Sequence, residues 1–486
     1  MFVGREEELE LLNGMHERKE FQMAVIYGRR RVGKTALLEK FSRKKRTLFF
    51  TAREQSSKAN LRDLSQKIVE FFNLPQDMPP FETWATAFSF IASQCSTTSP
   101  NINQSPFVFV FDEFPYAAST EPALPSTLQV AIDHEFKKTS MFLILCGSNE
   151  GFMESKVLGR KSPLFGRRNA QIRLQPFDFF DAAKMLPGLS ATQLVRYYAT
   201  FGGTPYYLEQ IDLSTPYEQN VQRLAFSMYG MLYEEPLMLL RQELREPALY
   251  NSILNAIGTG RTKPKAIAER AGVATSSIAK YLKTLETLGI IEKLVPFGEN
   301  LLTSRKGIYQ FKDPFFSYWY RFVAPNVGAI ETGAGAQAAR ACAFGEALST
   351  YEGIQFESIC KHWLVRQNKA GKLGFVASKF GKWWGTDPSA HEEVDIDVIA
   401  ANKQTGNIVL GECKWRNSFN ETQTVNELKH RSTLLKGYEN IEHILFTKKP
   451  ISKTTQEKLC HDATIRCVCV DDLMQSADSC YCKETL

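Results

Sequence analysis

At residues 28–35 the chain reads GRRRVGKT, preceded by the apolar run MAVIY (23–27) and followed by the amphipathic run ALLEKF (36–41). The stretch satisfies the pattern G-x-x-x-x-G-K-[ST], which requires a strand before the loop and a helix after it. Glycines in such a loop let backbone N–H groups close around phosphate oxygens, and the helix N-terminus adds a partial positive charge. The stretch therefore predicts an α/β fold built around a phosphate-binding loop.

The residues of this loop have different expected parts in binding ATP. Lys34 is expected to reach the β- and γ-phosphates, and the Thr35 hydroxyl is expected to bind Mg²⁺. The other expected nucleotide contacts come from the loop and the first residues of the helix: Gly28, Arg29, Arg30, Arg31, Val32, Gly33 and Ala36. The three arginines are also candidates for extra phosphate or subunit contacts.

A second apolar strand, FVFVFDE (107–113), ends in two acids. Parallel α/β sheets bind ligands at the C-terminal edge of their strands, so Asp112 and Glu113 are expected beside the loop. Asp112 would hold Mg²⁺, usually through water, and Glu113 would orient the attacking water. Together with the loop, this strand predicts an ATPase site.

Two later segments supply candidates for the γ-phosphate end of the site. The strand MFLILCGSN ends in Ser148 and Asn149, which would sense the γ-phosphate, and a plain strand-ending turn is the alternative. In SPLFGRR, Arg167 or Arg168 could act as an arginine finger toward a neighbouring subunit. A solvent-exposed basic pair explains the same two residues equally well.

Length and composition indicate a multidomain chain with ordinary cores. Its 486 residues are expected to form about two to four domains. The longest apolar runs are far shorter than a membrane span, and the acidic N-terminus is not a secretory signal. We therefore expect a cytoplasmic protein without membrane contact, whose cysteines are reduced. The closing Cys460, Cys467, Cys469, Cys480 and Cys482 lack the C-x-x-C spacing of zinc sites.

Several motifs occur in one order in the first part of the chain: FVGREEEL (2–9), the loop at 28–35, DEFPY (112–116), SPLFGR (162–167), LQPF (174–177) and GGTPYYL (202–208). Together they resemble the family of predominantly archaeal P-loop ATPases related to AAA+ and STAND NTPases. The resemblance implies that Val3, Gly4 and Arg5 border the nucleotide. It also implies that Gly203 and Pro205 close over the adenine from a helical lid. It favours Arg167 as the finger, which works only in a homo-oligomer.

The succession of patterns predicts four domains: a P-loop AAA+-like core (1–175), a helical lid (176–245), a winged helix-turn-helix (246–312) and a C-terminal α/β restriction-endonuclease-like domain (313–486). A polar, Gly/Ala-rich stretch at 326–340 reads as a linker or loop within the last of these.

The winged-helix prediction depends on the spacing from AIAERAGV to SSIAKYLKTLETLGII, which is typical of a helix-turn-helix followed by a hairpin. Ser276 and Ser277 would cap the recognition helix, with Lys280 and Lys283 on its outer side. Residues 258–310 carry nine Lys/Arg against four Asp/Glu, which suits a DNA backbone. The alternative is a rigid lever that packs on the ATPase core and contacts no DNA.

The segment EEVDIDVIAANKQTGNIVLGECKW (392–415) reads as two strands joined by a polar turn. A hairpin centred on that turn places Asp397 opposite Glu412 and Asp395 opposite Lys414. Carboxylates grouped with a lysine in this way suit Mg²⁺ ions that activate water for phosphodiester cleavage. A cross-strand salt bridge on a solvated face is the alternative.

The D…ExK layout resembles the PD-(D/E)xK nuclease fold. The succession DPFFSYWYRFV, GIQFE, KWWG, DIDVIA and GECKW is similar to the nuclease-like domain of unknown function attached to the same ATPase family. The resemblance makes Glu357, Asp397 and Glu412 metal ligands and makes Lys414 the lysine that positions the nucleophile. Asp395 departs from the family pattern, in which relatives typically carry glutamate.

Three hypotheses of function follow from these patterns. The first is an ATPase coupled to a DNA-binding winged helix and an Mg²⁺-dependent nuclease domain. The second is a nucleotide-switched DNA-binding regulator whose nuclease-like fold does not cut, and the third is an ATPase acting on protein partners. The complete set of Asp397, Glu412 and Lys414 favours the first, because a domain kept only for binding need not retain all three.

Overall fold

The computed structural model describes residues 2–95 and 106–478, and it divides the chain into two compact units after Pro176. The first unit is built on a parallel sheet with strand order β2-β3-β4-β1-β5, as the apolar runs predict. Its strands are β1 Gln22–Tyr27, β2 Thr47–Thr51, β3 Val108–Asp112, β4 Phe142–Gly147 and β5 Ala170–Arg173. The three central strands are buried along their whole length, because helices cover both faces of the sheet.

The helices that cover this sheet are α1 Glu6–His16, α2 Lys34–Ser42, α3 Ser57–Phe72, α4 Trp84–Gln94, α5 Phe114–Thr120, α6 Leu124–His134 and the short α7 Glu150–Phe152. Alternate side chains of β1 enter two separate cores. Val25 packs into one core with helices α3 to α6, whereas Ala24 and Ile26 pack into the other with α1 and α2. The sheet therefore holds its loop-bearing edge rigidly from both sides.

The second unit begins with helices, as expected from the sequence after Asp178: α8 Phe179–Ala183, α9 Ala191–Phe201, α10 Pro205–Leu208, α11 Tyr217–Ala225 and α12 Glu235–Glu243. A compact module of three helices and an antiparallel hairpin follows: α13 Pro247–Gly258, α14 Pro264–Ala271, α15 Ile278–Thr287, β6 Ile291–Leu294 and β7 Ile308–Phe311. We call residues 247–311 the hairpin module.

The capping expected at the start of α15 is wrong. Ser277 occupies the N-cap position, but its side chain makes no capping hydrogen bond because its backbone is already helical. Ser276 precedes it in an exposed turn closed by a bond from the Ser277 N–H to the Ala274 carbonyl, 2.9 Å long. Both serines therefore remain as exposed hydroxyls beside the helix.

The linker expected at 326–340 is also wrong, because most of it is helical. After α16 Pro314–Tyr318 the chain forms α17 Val327–Glu331 and α18 Gly335–Cys342. Alanine is the best helix former, and buried Ile330 and Ala339 give these helices an inward face. A side chain on Gly335 would clash with the Phe226 carbonyl at 2.0 Å, so the glycine here serves close packing.

The long helix α19 Gly345–Lys369 runs through the second unit and is fixed at both ends. Near its start, the Tyr351 hydroxyl donates to the Pro314 and Ala199 carbonyls at 2.8 and 3.1 Å. Near its end, Arg366 donates twice to the Asp178 carboxylate, at 2.7 Å each. Between these points lies Glu357.

A mixed sheet of order β12-β11-β10-β9-β8 completes the second unit. Its strands and helices are β8 Lys379–Asp387, β9 Glu392–Asn402, β10 Asn407–Lys414, α20 Glu421–Ser432, β11 Asn440–Thr447, α21 Lys453–Leu459, β12 Ile465–Cys469 and α22 Val470–Asp478. The pairs Gly411–Val398 and Leu410–Ile399 confirm the hairpin register expected for β9 and β10. In the described part of the chain no helix is long and apolar enough to cross a membrane.

Candidate functional site

The phosphate-binding loop connects the end of β1 to the start of α2. Gly33 has a left-handed backbone, with φ of 91°, and stands at the N-cap of α2. A side chain on Gly28 would meet the Leu174 carbonyl oxygen at 2.3 Å, so only glycine fits where the loop passes β5. Thr35 and Ala36 are exposed in the first turn of α2, facing the position where a phosphate would bind.

Lys34 is buried, and its ammonium group spans the loop. Its Nζ donates to the Gly28 carbonyl at 2.8 Å and to the Arg29 carbonyl at 3.0 Å. These bonds hold the cation over the loop, in position to exchange backbone carbonyls for phosphate oxygens. Of the loop arginines, Arg30 donates to the Tyr116 hydroxyl, which joins the loop to α5.

The two acids after β3 differ in their surroundings. Burial raises the pKa of Asp112, against the lowering effect of a hydrogen bond with the Cys146 thiol. Glu113 adopts a left-handed backbone, with φ of 49°, at the start of α5. The Ser148 hydroxyl reaches both Glu113 carboxylate oxygens at 2.7 Å, and the Ser148 N–H donates to one of them at 3.2 Å. Ser148 at the end of β4 thus positions Glu113.

Asn149 follows Ser148, and its role in sensing the γ-phosphate stays a prediction. Its side chain is exposed and accepts from the Phe152 N–H at 2.8 Å, which caps α7. The next residue, Glu150, is buried and accepts from Arg173 at 2.6 Å. This ion pair could not be predicted from the sequence, because a glutamate after a strand matches no motif.

The N-terminal segment reaches the loop through Arg5. Its guanidinium donates to the Val32 carbonyl at 3.2 Å and to the Gln175 carbonyl at 2.5 Å. That Val3, Gly4 and Arg5 border the nucleotide stays a prediction. In the second unit, a side chain on Gly203 would lie 1.8 Å from the Phe177 carbonyl, so backbone packing accounts for that glycine. Pro205 begins α10, and contact of either residue with adenine stays a prediction.

Arg167 is engaged within its own unit rather than extended. Its Nε donates to both Asp133 carboxylate oxygens at 3.2 and 3.1 Å, and its Nη1 donates to the Pro163 carbonyl at 2.7 Å. Hydrogen bonds from this guanidinium lower the pKa of Asp133 to about 2. The extended side chain that a finger requires is therefore absent here, and adjacent Arg168 is half-buried.

A second cluster of charged side chains lies in the second unit. The Lys382 ammonium is 2.8 Å from a Glu357 oxygen, 3.2 Å from Asp395 and 3.4 Å from Asp397. Burial and the neighbouring Asp397 carboxylate raise the pKa of Glu357 to about 7. Burial alone would lower the pKa of Lys382, but Glu357 and Asp397 raise it overall. Three carboxylates thus converge on one ammonium, and no sequence motif points to Lys382.

The other half of the cluster is formed by β10. The Lys414 ammonium lies 2.6 Å from Glu412, and Arg431 on α20 donates to the same carboxylate at 3.2 Å. One Asp397 oxygen accepts from the Cys413 N–H at 2.8 Å, which places it directly beside Glu412 on the paired strand. Glu412 is only 4% exposed, so this is not a salt bridge on a solvated face.

Carboxylate oxygens are the ligands that hard divalent cations prefer. In the structure Glu357, Asp395 and Asp397 contact the Lys382 ammonium, whereas Glu412 contacts Lys414 and Arg431. Among residues 2–95 and 106–478, no group of three or more His, Cys, Asp or Glu side chains is arranged to bind a metal. Of the terminal cysteines, Cys480 and Cys482 lie outside the described residues.

The hairpin module contacts the same cluster. The Phe297 N–H, in the loop after β6, donates to the Lys382 carbonyl at 2.9 Å, and its ring packs near Trp383 and Ile396. A cavity of about 220 Å³ is lined on one side by cluster residues Glu357, Lys382 and Asp397, and on the other by Thr262, Tyr309 and Gln310 of the module. On the outer surface of the module, Lys280 and Lys283 are exposed as expected.

Comparison with known proteins finds family matches for two parts of the chain. Residues 2–211 match a family described as an ATPase domain predominantly from Archaea, and residues 319–425 match archaeal and bacterial proteins of unknown function. The uncharacterized protein MJECL04 of Methanocaldococcus jannaschii is 30% identical over 465 residues, which are 95% of this chain and 99% of that protein. The uncharacterized ATP-binding protein MJ0423 of the same organism is 48% identical over 46 residues, 10% of this chain and 78% of its own.

Solved structures align over a similar range. The Walker-type ATPase PABY2304 of Pyrococcus abyssi aligns with 66% of this chain and 96% of its own at 19% identity and a TM-score of 0.48. Cdc6p of Pyrobaculum aerophilum covers 69% and 96% at 14% identity and a TM-score of 0.33. The match to MJECL04 extends over almost the whole of both chains and decides the family: this protein belongs to the same family as MJECL04, with an ATPase domain of the predominantly archaeal kind at residues 2–211.

Proposed function

We propose that this chain is an ATPase whose nucleotide cycle controls DNA binding and DNA cleavage by its second unit. The observation that carries the proposal is the cavity in which Glu357, Lys382 and Asp397 face the hairpin module. Acids suited to phosphodiester chemistry thus lie next to a module whose outer surface carries the lysines suited to DNA. The proposed ATPase activity is supported by the phosphate-binding loop and by the family match of residues 2–211.

In the ATPase site, each side chain has a part in binding or turnover. Lys34 would bind the β- and γ-phosphates, while Thr35 and Asp112 would hold Mg²⁺. Glu113 would orient the attacking water, and Ser148 would keep the Glu113 carboxylate in place. Val3 to Arg5 would border the nucleotide, and Gly203 and Pro205 would close over the adenine. In a homo-oligomer, Arg167 would have to leave Asp133 to act as the finger, whereas Arg168 would need no such release.

The hairpin module would act as a winged helix-turn-helix on DNA. Its α15 presents Lys280, Lys283 and the Ser276 and Ser277 hydroxyls on an exposed face. These groups suit contacts to phosphates, which give affinity without sequence preference. Residues 258–310 contain nine basic and four acidic residues, and this excess of positive charge also supports DNA binding.

The acidic cluster would cut the DNA held in this way. Glu357, Asp397 and Glu412 would hold Mg²⁺, which when bound supplies an activated water and stabilises the leaving oxygen. Lys414 would position the nucleophile. Lys382 would have to leave the centre of the cluster first, and it is then well placed to bind the phosphate instead.

A nicking assay on supercoiled DNA with Mg²⁺ or Mn²⁺ tests the nuclease. The wild-type chain should nick, Lys414→Ala should fall to background, and Lys403→Ala should behave as wild type. Lys403 is the matched control, because it is an exposed lysine at the turn of the same hairpin. Equal background activity in all three proteins would refute the nuclease.

One observation favours the second function, a DNA-binding regulator that does not cut. Lys382 pairs with Glu357 and Asp397 and so takes the position that a metal would need for cleavage. Under this function the wild-type chain binds DNA with a steep salt dependence but never nicks it. If the chain does not bind DNA even at low salt, the third function remains, an ATPase that acts on protein partners. The hairpin module would then serve as a lever held in place by Phe297.

A further inference from the structure

The loop between β6 and β7 exposes two adjacent leucines. Leu301 is 50% exposed and Leu302 is 89% exposed, within a protein whose other large apolar side chains are mostly buried. A single exposed leucine is ordinary, but two neighbours at the tip of a projecting loop keep an apolar surface in water. Exposed apolar surfaces of this kind are typical of binding sites.

The loop holds these leucines outward by its own hydrogen bonds. The Leu302 N–H donates to the Asn300 side chain at 2.8 Å, and the Ser304 N–H donates to the Asn300 carbonyl at 2.9 Å. Lys293 on β6 donates to the Leu301 carbonyl, also at 2.8 Å. The tip is therefore pre-organised, which reduces the entropy lost when it binds.

Positive charge surrounds the apolar tip. Lys293, Arg305 and Lys306 flank it, while the acid Glu299 is paired with Lys306 at 2.9 Å. Apolar wedges that enter between DNA base pairs have this composition, with cations placed for the phosphates on either side. An apolar protein surface would not require the flanking cations, so nucleic acid is the partner that the charges favour.

The root of the same loop lies at the acidic cluster, through the bond from Phe297 to the Lys382 carbonyl. The cavity there, about 220 Å³, is lined by Glu357, Lys382 and Asp397. A base pair opened next to this loop would free an unpaired strand beside these side chains.

We infer that Leu301 and Leu302 form a wedge that enters between base pairs and unstacks duplex DNA, so that the acidic cluster receives an unpaired strand. This inference rests on the proposed function, because it assumes that the hairpin module binds DNA. It adds the substrate: DNA at a junction between paired and unpaired segments, or DNA opened by the protein itself.

The test uses the full chain and duplexes that carry 2-aminopurine, whose fluorescence rises on unstacking. Binding of the wild-type protein should raise the signal, whereas the double variant Leu301→Ser, Leu302→Ser should lose most of the rise. The variant should also bind roughly tenfold more weakly with an unchanged salt slope, because no phosphate contact is removed. Val376→Ser, at an apolar side chain 73% exposed elsewhere in the unit, is the control and should behave as wild type.

Two outcomes would overturn the wedge while leaving the proposed function standing: the double variant binds and unstacks DNA as wild type does, or wild-type binding leaves 2-aminopurine dark. A change of oligomeric state in the double variant, measured by light scattering with DNA binding intact, would assign the leucines to a contact between copies. If the wild-type chain binds no DNA at low salt, the proposed function itself fails.

Discussion

Ser148 positions Glu113 through three hydrogen bonds, two of them from its hydroxyl. We expect Ser148→Ala to lower the kcat of ATP hydrolysis roughly tenfold or more, because a carboxylate that can swing no longer aligns the attacking water. The dissociation constant for ATP should hardly change, since Lys34 and the loop are untouched. Steady-state hydrolysis and nucleotide titration measure the two quantities.

Controls for this prediction are available at neighbouring positions. Glu113→Gln should bind ATP and stop turnover, whereas Lys34→Ala should lose binding. Asn149→Ala should have little effect on turnover, because that side chain only caps α7. If Asn149→Ala slows hydrolysis more than Ser148→Ala does, the structural assignment of the two residues is wrong.

Lys382 occupies the centre where carboxylates of the second unit converge. Replacing it with alanine removes the competing cation, so we expect Lys382→Ala to bind Mn²⁺ about tenfold more tightly than wild type. Calorimetry or the electron paramagnetic resonance signal of free Mn²⁺ measures this without any nuclease activity. Lys403→Ala should leave Mn²⁺ affinity unchanged, and weaker binding by Lys382→Ala would show that the lysine supports the site instead.

At the scale of elements, Asp178 joins α8 to α19. It caps α8 by accepting from the Phe180 and Asp181 N–H groups at 3.1 and 3.0 Å, and it accepts from Arg366. We expect Asp178→Ala to lower the free energy of unfolding by about 2 kcal/mol, from a lost cap and a weakened ion pair. Urea titration of the chain at pH 7 measures the change in the transition of the second unit.

Asp178 should also make the free energy of unfolding depend on pH, in a direction that its pKa shift predicts. Burial alone would raise the pKa of Asp178, but the hydrogen bonds from Arg366 lower it overall. A carboxyl with a lowered pKa in the folded state stabilises the protein above its unfolded-state pKa of about 3.9, and the stabilisation is lost as the pH falls below that value. The difference between wild type and Asp178→Ala should therefore shrink between pH 5 and about pH 3. A difference that stays constant across this range would contradict the assignment.

Elements with strong local signals could be predicted from the sequence. The parallel sheet, Glu357 on a helix and the register of β9 with β10 all follow from periodicity or from a short polar turn. The helices at 327–342 were missed, because glycine and polar residues masked alanine-rich segments that become helical once packed. The failed cap at Ser277 depends on a backbone angle that composition does not report.

Most of the features that could not be predicted from the sequence are contacts between residues far apart in the chain. Lys382 lies 25 residues from Glu357 and 15 from Asp397, and a lysine in a strand carries no signal that it will enter an acidic cluster. The pairing of Arg167 with Asp133 spans 34 residues and was equally hidden. Motifs locate side chains on elements, but tertiary packing decides which neighbour each one meets.

At the scale of the whole molecule, the proposed function requires that ATP and DNA affect each other's binding. We expect Glu113→Gln, which traps bound ATP, to change the affinity for DNA by at least about fivefold relative to the nucleotide-free protein. Thermodynamic linkage requires DNA to change the affinity for ATP by the same factor. Fluorescence anisotropy with labelled DNA and with a labelled nucleotide measures both sides of this cycle. Independent binding of the two ligands would show that the ATPase does not control the second unit.

The 25-residue helix α19, with Glu357 midway between its two anchor points, has a mechanical consequence. At about 1.5 Å per residue it is a rod roughly 37 Å long, with Glu357 about 18 Å from either end. A tilt of about 5° about one end therefore moves Glu357 by ~1.6 Å. Misplacement of a reacting group by about 1 Å can cost a hundredfold in rate. A slight rocking of the helices that grip this rod would therefore suffice to switch Glu357 in and out of alignment without unfolding any part of the chain.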